Sequence, residues 1–484
     1  MTTTTDSVRY VGLDVHKRVV EACFIDTRGQ VVHRERFALN RQILAKFATK
    51  VLRPTDHVVL EATTNSWAVV DALRSHVAKI VVSNPMATKA IAQAKVKTDK
   101  VDALVLAQLL RCEFLPEVWQ PDAETLRLRE LTGRRATLTG HRTTMRNRIH
   151  SVLAMRLIEE PKYLFSTKGL EWLATVEIDE QGRMLIDSDL RQLALLQQEI
   201  DLLDAELAKR AYKNDPVKLL MTLPSIDMAT ANALLAAWGD HTRFPDADHA
   251  ASYLGLVSST NRSADKCYHG PITKQGNAQA RWMLVQAAQH IGKHPGPLGH
   301  FFRKLSRRKK RNVAVVATAR KLATIAWQLL ATNEPYRYAT PQQTAVKLAQ
   351  LRIKATGERR VGGSSKGTKN KTKLPSTPGG SRQIKSLATV YESEGLPALK
   401  QLAPGECRTV RAACASKFVA EIAETRRIPR QSSKKASGTE TATTRRSGKK
   451  SATTAPLRRT SKKSAAIIAP TTPRRTSQKR LKTD

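Results

Sequence analysis

The sequence predicts an α/β domain followed by long helices and a basic, irregular tail. Three observations carry this: short β-branched runs alternating with a helical segment before residue 118, apolar residues at heptad spacing between 119 and 213, and loss of periodicity beyond 337. In chain order, "VRYVGLDVH", "VVEACFID" and "VVHRERFAL" read as strands separated by short turns, one carrying "DTRGQ", and so pair antiparallel. "HVVLEAT" and "KIVVSNP" are apolar runs on either side of the helical "SWAVVDALRSH", the pattern of a β-α-β crossover joining buried parallel strands. A three-strand meander feeding alternating helices and strands is the order of an RNase H-like sheet, assigned to residues 8–118.

Residues 119–213 read as a helical coiled-coil region. Leu131, Leu138, Met145 and Val152 recur every seven residues, and Leu193, Leu196, Ile200, Leu203 and Leu207 step by three and four. The two helices are expected to pair, within the chain or between chains. The first carries Arg127, Arg129, Arg134, Arg135, Arg142, Arg146 and Arg148, which is either a solvated face or a nucleic-acid surface with Arg135 and Arg142 as contacts. Residues 214–336 read as a mostly helical domain. Its "LLMTLPSIDMATANALLAAWGD" is similar to a helix-hairpin-helix whose turn amides could grip a phosphate. Ser225 and Asp227 stand where glycines would ease that turn, so a purely structural hairpin is equally open.

The chain has 484 residues, with 82 Lys and Arg against 42 Asp and Glu and a formal charge of +40. That balance points to nucleic acid before any anionic membrane. No run approaches the roughly 18 apolar residues of a spanning helix, and "MTTTTDSVRY" lacks the apolar centre of a signal peptide, so the cytoplasm is the expected location. Cys23, Cys112, Cys267, Cys407 and Cys414 form no CxxC pair, which argues against a disulfide framework or a zinc ribbon. Residues 337–484 are expected to be a largely disordered tail. Thr425 to Asp484 alone holds 18 Lys and Arg against two acids, too polar to offset its chain entropy by burial. Without that stretch the chain keeps 64 basic and 40 acidic residues, so the remainder suits polyanions independently.

Four carboxylates stand out. Asp99 and Asp102 in "KTDKVDA" are three apart, on one face of a helix. They are either charges that complement a helix start capped by Thr98, or members of a site. Asp14 interrupts the apolar strand "VGLDVHK", where an acid is costly unless paired or metal-bound, and Glu61 ends the strand "VVLEAT". In an RNase H-like sheet these two strands are neighbours facing the helix of Asp99 and Asp102. Such a cluster repels itself unless cations occupy it, and an all-oxygen set suits Mg²⁺ or Mn²⁺, the ions that bind and neutralise a scissile phosphate.

With "GLDVHK", "LEAT", "KTDKVDA" and "YLGLVSSTNRSADKCYHGPITKQGNAQARWML" in this order over residues 8 to 335, the chain resembles the DEDD transposases of bacterial insertion sequences, the bridge recombinases. The resemblance implies that Asp14, Glu61, Asp99 and Asp102 are the metal-binding tetrad of a Holliday-junction-resolvase-like domain. It also implies a coiled-coil insertion, a C-terminal transposase domain at 214–336, a tetramer built as a dimer of dimers, and a structured non-coding guide RNA that pairs with target and donor DNA. The family's nucleophilic serine falls on Ser263, with Ser259 as the alternative, and Ala264 replaces the glycine that usually follows it. Lys274 and Arg281 become phosphate clamps or backbone-positioning groups. The activity implied is strand cleavage and exchange through a covalent phosphoserine. Two alternatives remain: a metal-dependent junction nuclease using water, and a non-catalytic packaging protein built around the basic tail.

Overall fold

The computed structural model describes residues 8–91, 98–263, 266–358, 381–402 and 404–429. Its first elements are β1 (Tyr10–Val15), β2 (Val19–Ile25), β3 (Val31–Ala38), α1 (Arg41–Lys50), β4 (His57–Glu61), α2 (Ser66–Leu73), β5 (Lys79–Ser83), α3 (Pro85–Ile91) and α4 (Asp99–Arg111). The five strands form one sheet in the order β3-β2-β1-β4-β5, with β2 antiparallel to both neighbours and β1, β4 and β5 parallel. This is the RNase H-like order expected. The "DTRGQ" turn is closed by Gly29, at φ +84°, and by the Asp26 carboxylate, which accepts the Arg28 and Gln30 N–H groups at 2.9 and 2.8 Å.

Strand alternation sorts the sheet into two faces. Val11, Leu13, Val20, Ala22, Phe24, Val58 and Leu60 pack with Phe47, Val70 and Leu73 of α1 and α2. On the opposite face Cys23 and Ile25 meet Ala103 and Ala107 of α4, and Val59 and Val81 meet Leu106 and Leu110. Gly12 makes this seat possible. A Cβ there would lie 2.0 Å from the Ala103 carbonyl oxygen, so only glycine lets α4 come this close to β1. The edge strand β3 presents exposed His33, Arg34 and Arg36, charges that discourage pairing with another chain.

Next come α5 (Ala123–Ala154), α6 (Thr167–Thr175) and α7 (Glu180–Tyr212). The long pair α5 and α7 runs antiparallel within the chain. Arg210 meets Glu124 at one end, Arg135 meets Asp204, Arg142 meets Gln197, Arg148 meets Asp189, and Arg156 meets Asp179 at the other end. Of the expected seam, Leu138, Val152, Ile200 and Leu207 are buried, while Leu131, Met145, Leu193, Leu196 and Leu203 are only half-buried. A separate small core of Ile149, Leu153, Leu164, Leu173 and Ile186 closes the α6 end.

The chain continues through α8 (Asp215–Met221), α9 (Met228–Trp238), α10 (Ala247–Tyr253), β6 (Ser258–Ser263), β7 (Lys266–Ile272), α11 (Ala278–His290), α12 (Pro297–Arg308), α13 (Arg311–Thr332) and α14 (Pro341–Thr356). Then follow β8 (Ser381–Ile384), α15 (Leu387–Ser393), α16 (Pro404–Ala412), α17 (Ser416–Ala423) and β9 (Arg426–Pro429), with β8 and β9 antiparallel. One large core unites these helices except α16, whose Val410 packs with Ala413 and Ala415 in a small separate cluster. α13 is long and apolar enough to cross a membrane by length and composition, but half of its apolar window is buried, and Ala319, Leu322, Ala323 and Ala326 lie in that core.

The sequence-based start of a disordered tail at residue 337 needs correction. Leu348 and Leu351 of α14, Leu387 and Tyr391 of α15, and Ile422 of α17 are buried in the same core as Trp238 and Leu284. The apolar residues of this stretch are thinly spread among Lys, Arg and Gln, so no periodic face was legible. Lys347 shows what compensates: its buried ammonium donates to the carbonyls of Met221, Leu223 (2.6 Å) and Ile226 (3.0 Å), the orphan acceptors of the α8–α9 turn. Residues 359–380 and 430–484, with most of the doublet-rich tail, lie outside the described residues.

Candidate functional site

Asp14 is held at the end of β1 on the α4 side of the sheet. Register places Leu13 opposite Leu60, which brings Glu61 at the end of β4 beside Asp14. Thr98 caps α4, its side chain accepting the Val101 N–H at 3.3 Å, so the capping role foreseen for this turn is present. The same cap aims the start of α4 at β1. His16 Nε2 lies 3.1 Å from Asp14 Oδ2 and 3.4 Å from Asp99 Oδ1, and one ligand atom from each of the three residues falls within 4.8 Å of the others.

Asp14 is half-buried and its pKa is raised. Burial is the main cause, opposed by His16, while the charges of Asp99 and Asp102 push it further up. Asp99 and Asp102 are thus near enough for their charges to act on Asp14. Glu61 and Asp102 are half-buried at its margin. Carboxylates brought together at the open end of a sheet, with an imidazole between two of them, form a donor set that fits a divalent cation.

His16 was missed by sequence reasoning, although it stands in "GLDVHK". The signal was its spacing of two from Asp14, since residues two apart in extended chain share a side. It adds nitrogen to a set expected to be all oxygen.

Ser263 ends β6, exposed, and pairs in register with Lys266. Among the described residues no hydrogen bond joins it to the four acids. Ser259 differs: it sits at a register irregularity, half-buried, and its Oγ donates to the Pro271 carbonyl at 3.2 Å. Ala264, which stands where the family usually has glycine, lies outside the described residues. Lys274 is exposed at φ +56° just past β7. Arg281 is half-buried and gives one guanidinium nitrogen to the Leu254 carbonyl at 2.9 Å.

The arginines of α5 divide. Arg135 bonds the Asp204 carboxylate, which Lys354 also meets at 2.9 Å, and Arg142 bonds Gln197 at 2.8 Å. Burial acts to raise Asp204, but these hydrogen bonds outweigh it and hold its pKa down. Both arginines therefore tie α5 to α7, contrary to the open contact surface expected of them. Arg127 and Arg134 are exposed instead. Arg129 donates to the Ala236 carbonyl at 2.7 Å and lies over Trp119, as does Arg243 at 4.6 Å from the ring. These groups, with Asn84, Tyr253 and Asn277, line a cleft of about 780 Å³. Its cations and rings are chemistry that suits a nucleic-acid strand.

The helix-hairpin-helix turn is formed: Ser225 adopts φ +62°, the conformation glycine would adopt most freely, and Asp227 caps α9 by accepting the Thr230 N–H at 2.8 Å.

Comparison with known proteins adds two matches in chain order. A DEDD transposase family (DEDD_Tnp_IS110) matches residues 11–156, and the Transposase IS116/IS110/IS902 family matches residues 217–302. The pilin gene-inverting protein of Moraxella bovis is 26% identical over 347 residues, covering 68% of this chain and 98% of the relative. The transposase for insertion sequence element IS1111A of Coxiella burnetii is 24% identical over 355 residues, covering 68% of this chain and 92% of the relative.

Proposed function

The chain belongs to the DEDD transposases of insertion sequences, and from that premise we propose that it cuts and exchanges DNA strands with a divalent cation held by Asp14, Glu61, Asp99 and Asp102. Membership makes it a DNA-processing enzyme that depends on a divalent metal. Magnesium is the ion we assign. The observation that carries the reading is the convergence of Asp14 and Asp99, from opposite ends of the domain, on one imidazole. Bound there, the cation supplies positive charge to the scissile phosphate.

Ser263 is the proposed nucleophile. Its Oγ loses the hydroxyl proton and bonds to phosphorus, the bond from phosphorus to the 3′ oxygen breaks, and that oxygen takes a proton. The 3′ hydroxyl of an exchanged strand then displaces the serine by the reverse step. The serine's exposure on the β6–β7 hairpin, free of bonds to neighbouring side chains among the described residues, supports this role over that of Ser259, whose hydroxyl is already engaged. Lys274 and the remaining N–H groups of Arg281 serve the DNA backbone, with the cleft around Trp119 and Arg243 as a further contact. Arg135 and Arg142 serve DNA indirectly, by fixing the helix that carries Arg127 and Arg134.

A tetramer, a structured guide RNA that chooses the sites, and residence in the cytoplasm at the nucleoid complete the proposal. The relative named for pilin gene inversion supports recombination as the shared chemistry of such chains. Sequencing RNA that copurifies with the protein, against DNA flanking its gene, identifies guide and sites together. With those DNA ends and Mg²⁺, Asp102→Asn abolishes cleavage and Ser263→Ala abolishes the covalent protein–DNA adduct. An adduct that survives in Ser263→Ala but disappears in Ser259→Ala overturns the assignment, and cleavage without any adduct favours the water-using nuclease. That second reading draws support from the absence, among the described residues, of a hydrogen bond between Ser263 and the acids.

A further inference from the structure

Opposite Asp14, across the β1–β2 ladder, stands Glu21. It belongs to none of the motifs that mark the tetrad. It is 3% exposed, and among the described residues its Oε2 is buried with no hydrogen-bond partner. Directly paired residues of an antiparallel ladder share a face with their Cβ atoms roughly 5 Å apart, and like charges so placed destabilise the sheet. The face is the one toward α4, because Val20 and Ala22 on either side of Glu21 point into the other core and Cys23 into this one. Asp14 is thus flanked by Glu61 on β4 and Glu21 on β2, with the first turn of α4 above.

Two arginines of β3 lie nearby in the ladder, Arg36 and Arg34. Arg36 is its register partner on β3, yet no ion pair joins them among the described residues. Arg34 donates to the Lys100 carbonyl at 3.0 Å. A buried carboxylate oxygen without a donor is expensive, on the order of 1–3 kcal/mol for the missing partner and more for a charge. A cation bound at Asp14 would offset that cost.

We propose that Glu21 is a fifth carboxylate of the divalent-cation site, held buried and unpaired so that its Oε2 can bind the cation at Asp14 or a water of that cation's shell. The proposal rests on the reading that the tetrad holds a divalent ion. Glutamate at this position adds negative charge on the β2 side of Asp14, opposite Glu61 on β4, and so extends the site toward a second cation position.

The test titrates Mn²⁺ into the full-length protein and follows the free ion by electron paramagnetic resonance, with thermal melting of the same samples. Glu21→Gln keeps the shape and removes the charge. It is expected to weaken Mn²⁺ binding by about tenfold or more, the range seen for groups that support metal ligands, and to raise the melting temperature of the metal-free protein. Glu21→Asp keeps the charge on a shorter arm and recovers part of the affinity, which a packing role would not do. Wild-type Mn²⁺ affinity in a folded Glu21→Gln overturns the inference while leaving the tetrad intact. Absence of Mn²⁺ uptake by the wild-type protein overturns both.

Discussion

At the scale of single residues, the charged groups of this protein separate into those that face solvent and those the fold has used. His294 is of the second kind. Its Nδ1 accepts the Gly296 N–H at 3.1 Å, its Nε2 is buried without a partner among the described residues, and Phe418 meets the ring edge-on at 5.5 Å. Burial first, then the charges of Arg303 and Lys347, hold its pKa down to about 4. The unfolded chain therefore takes up a proton on this residue near the ordinary histidine pKa, before the folded chain does. Stability is full above about pH 6.5 and falls as pH drops toward 4, by roughly 3 kcal/mol from this group alone. Melting across that range should show the loss, and His294→Gln should flatten it. Nothing in "IGKHPGPLGH" distinguishes this histidine from an exposed one, because its burial comes from distant helices. The same holds for Arg135 and Arg142: their partners on α7 are far away in sequence, so a one-dimensional reading finds only a basic face.

At the scale of elements, α4 decides the site. Its Thr98 cap and its two aspartates were legible, because a cap and an i, i+3 pair are local patterns. Its seat on β1 depends on Gly12. Gly12→Ala forces a methyl group against the Ala103 carbonyl oxygen, and the strain is expected to cost about 1–3 kcal/mol. The helix start must then lift from Asp14, so the variant should lose Mn²⁺ affinity as well as melting temperature. A variant that melts earlier but binds Mn²⁺ as tightly would detach the two roles of the glycine. The C-terminal helices make a second case. Leu348, Leu351, Leu387, Tyr391 and Ile422 are core residues, each worth roughly 1.5–3 kcal/mol of burial. A chain ending at residue 336 is expected to lose cooperative melting, whereas one ending at Arg430 keeps it. Equal melting of both would show that these helices add nothing to the core.

For the whole molecule the governing quantity is charge. With +40 on 484 residues, association with DNA is expected to fall steeply with salt, by about 0.9 log units in affinity per log unit of salt for each phosphate neutralised. Residues 431–484 carry 15 Lys and Arg against two acids. Their removal should flatten the salt slope and weaken binding alike on all sequences, without changing which bond is cut; a change in the cut site would assign the tail a part in recognition. The sequence by itself determined the sheet order, the long helices, the Asp99 and Asp102 pair on one helix face and the excess of positive charge, because each is written in local periodicity, spacing or composition. Only the tertiary structure decided that His16 stands between Asp14 and Asp99, that Glu21 is buried beside Asp14, that two of the α5 arginines are spent on α7, and that the chain past residue 340 returns to the core. Those are contacts between residues distant along the chain, fixed by strand register and helix packing, and no local pattern encodes which distant side chain will lie opposite.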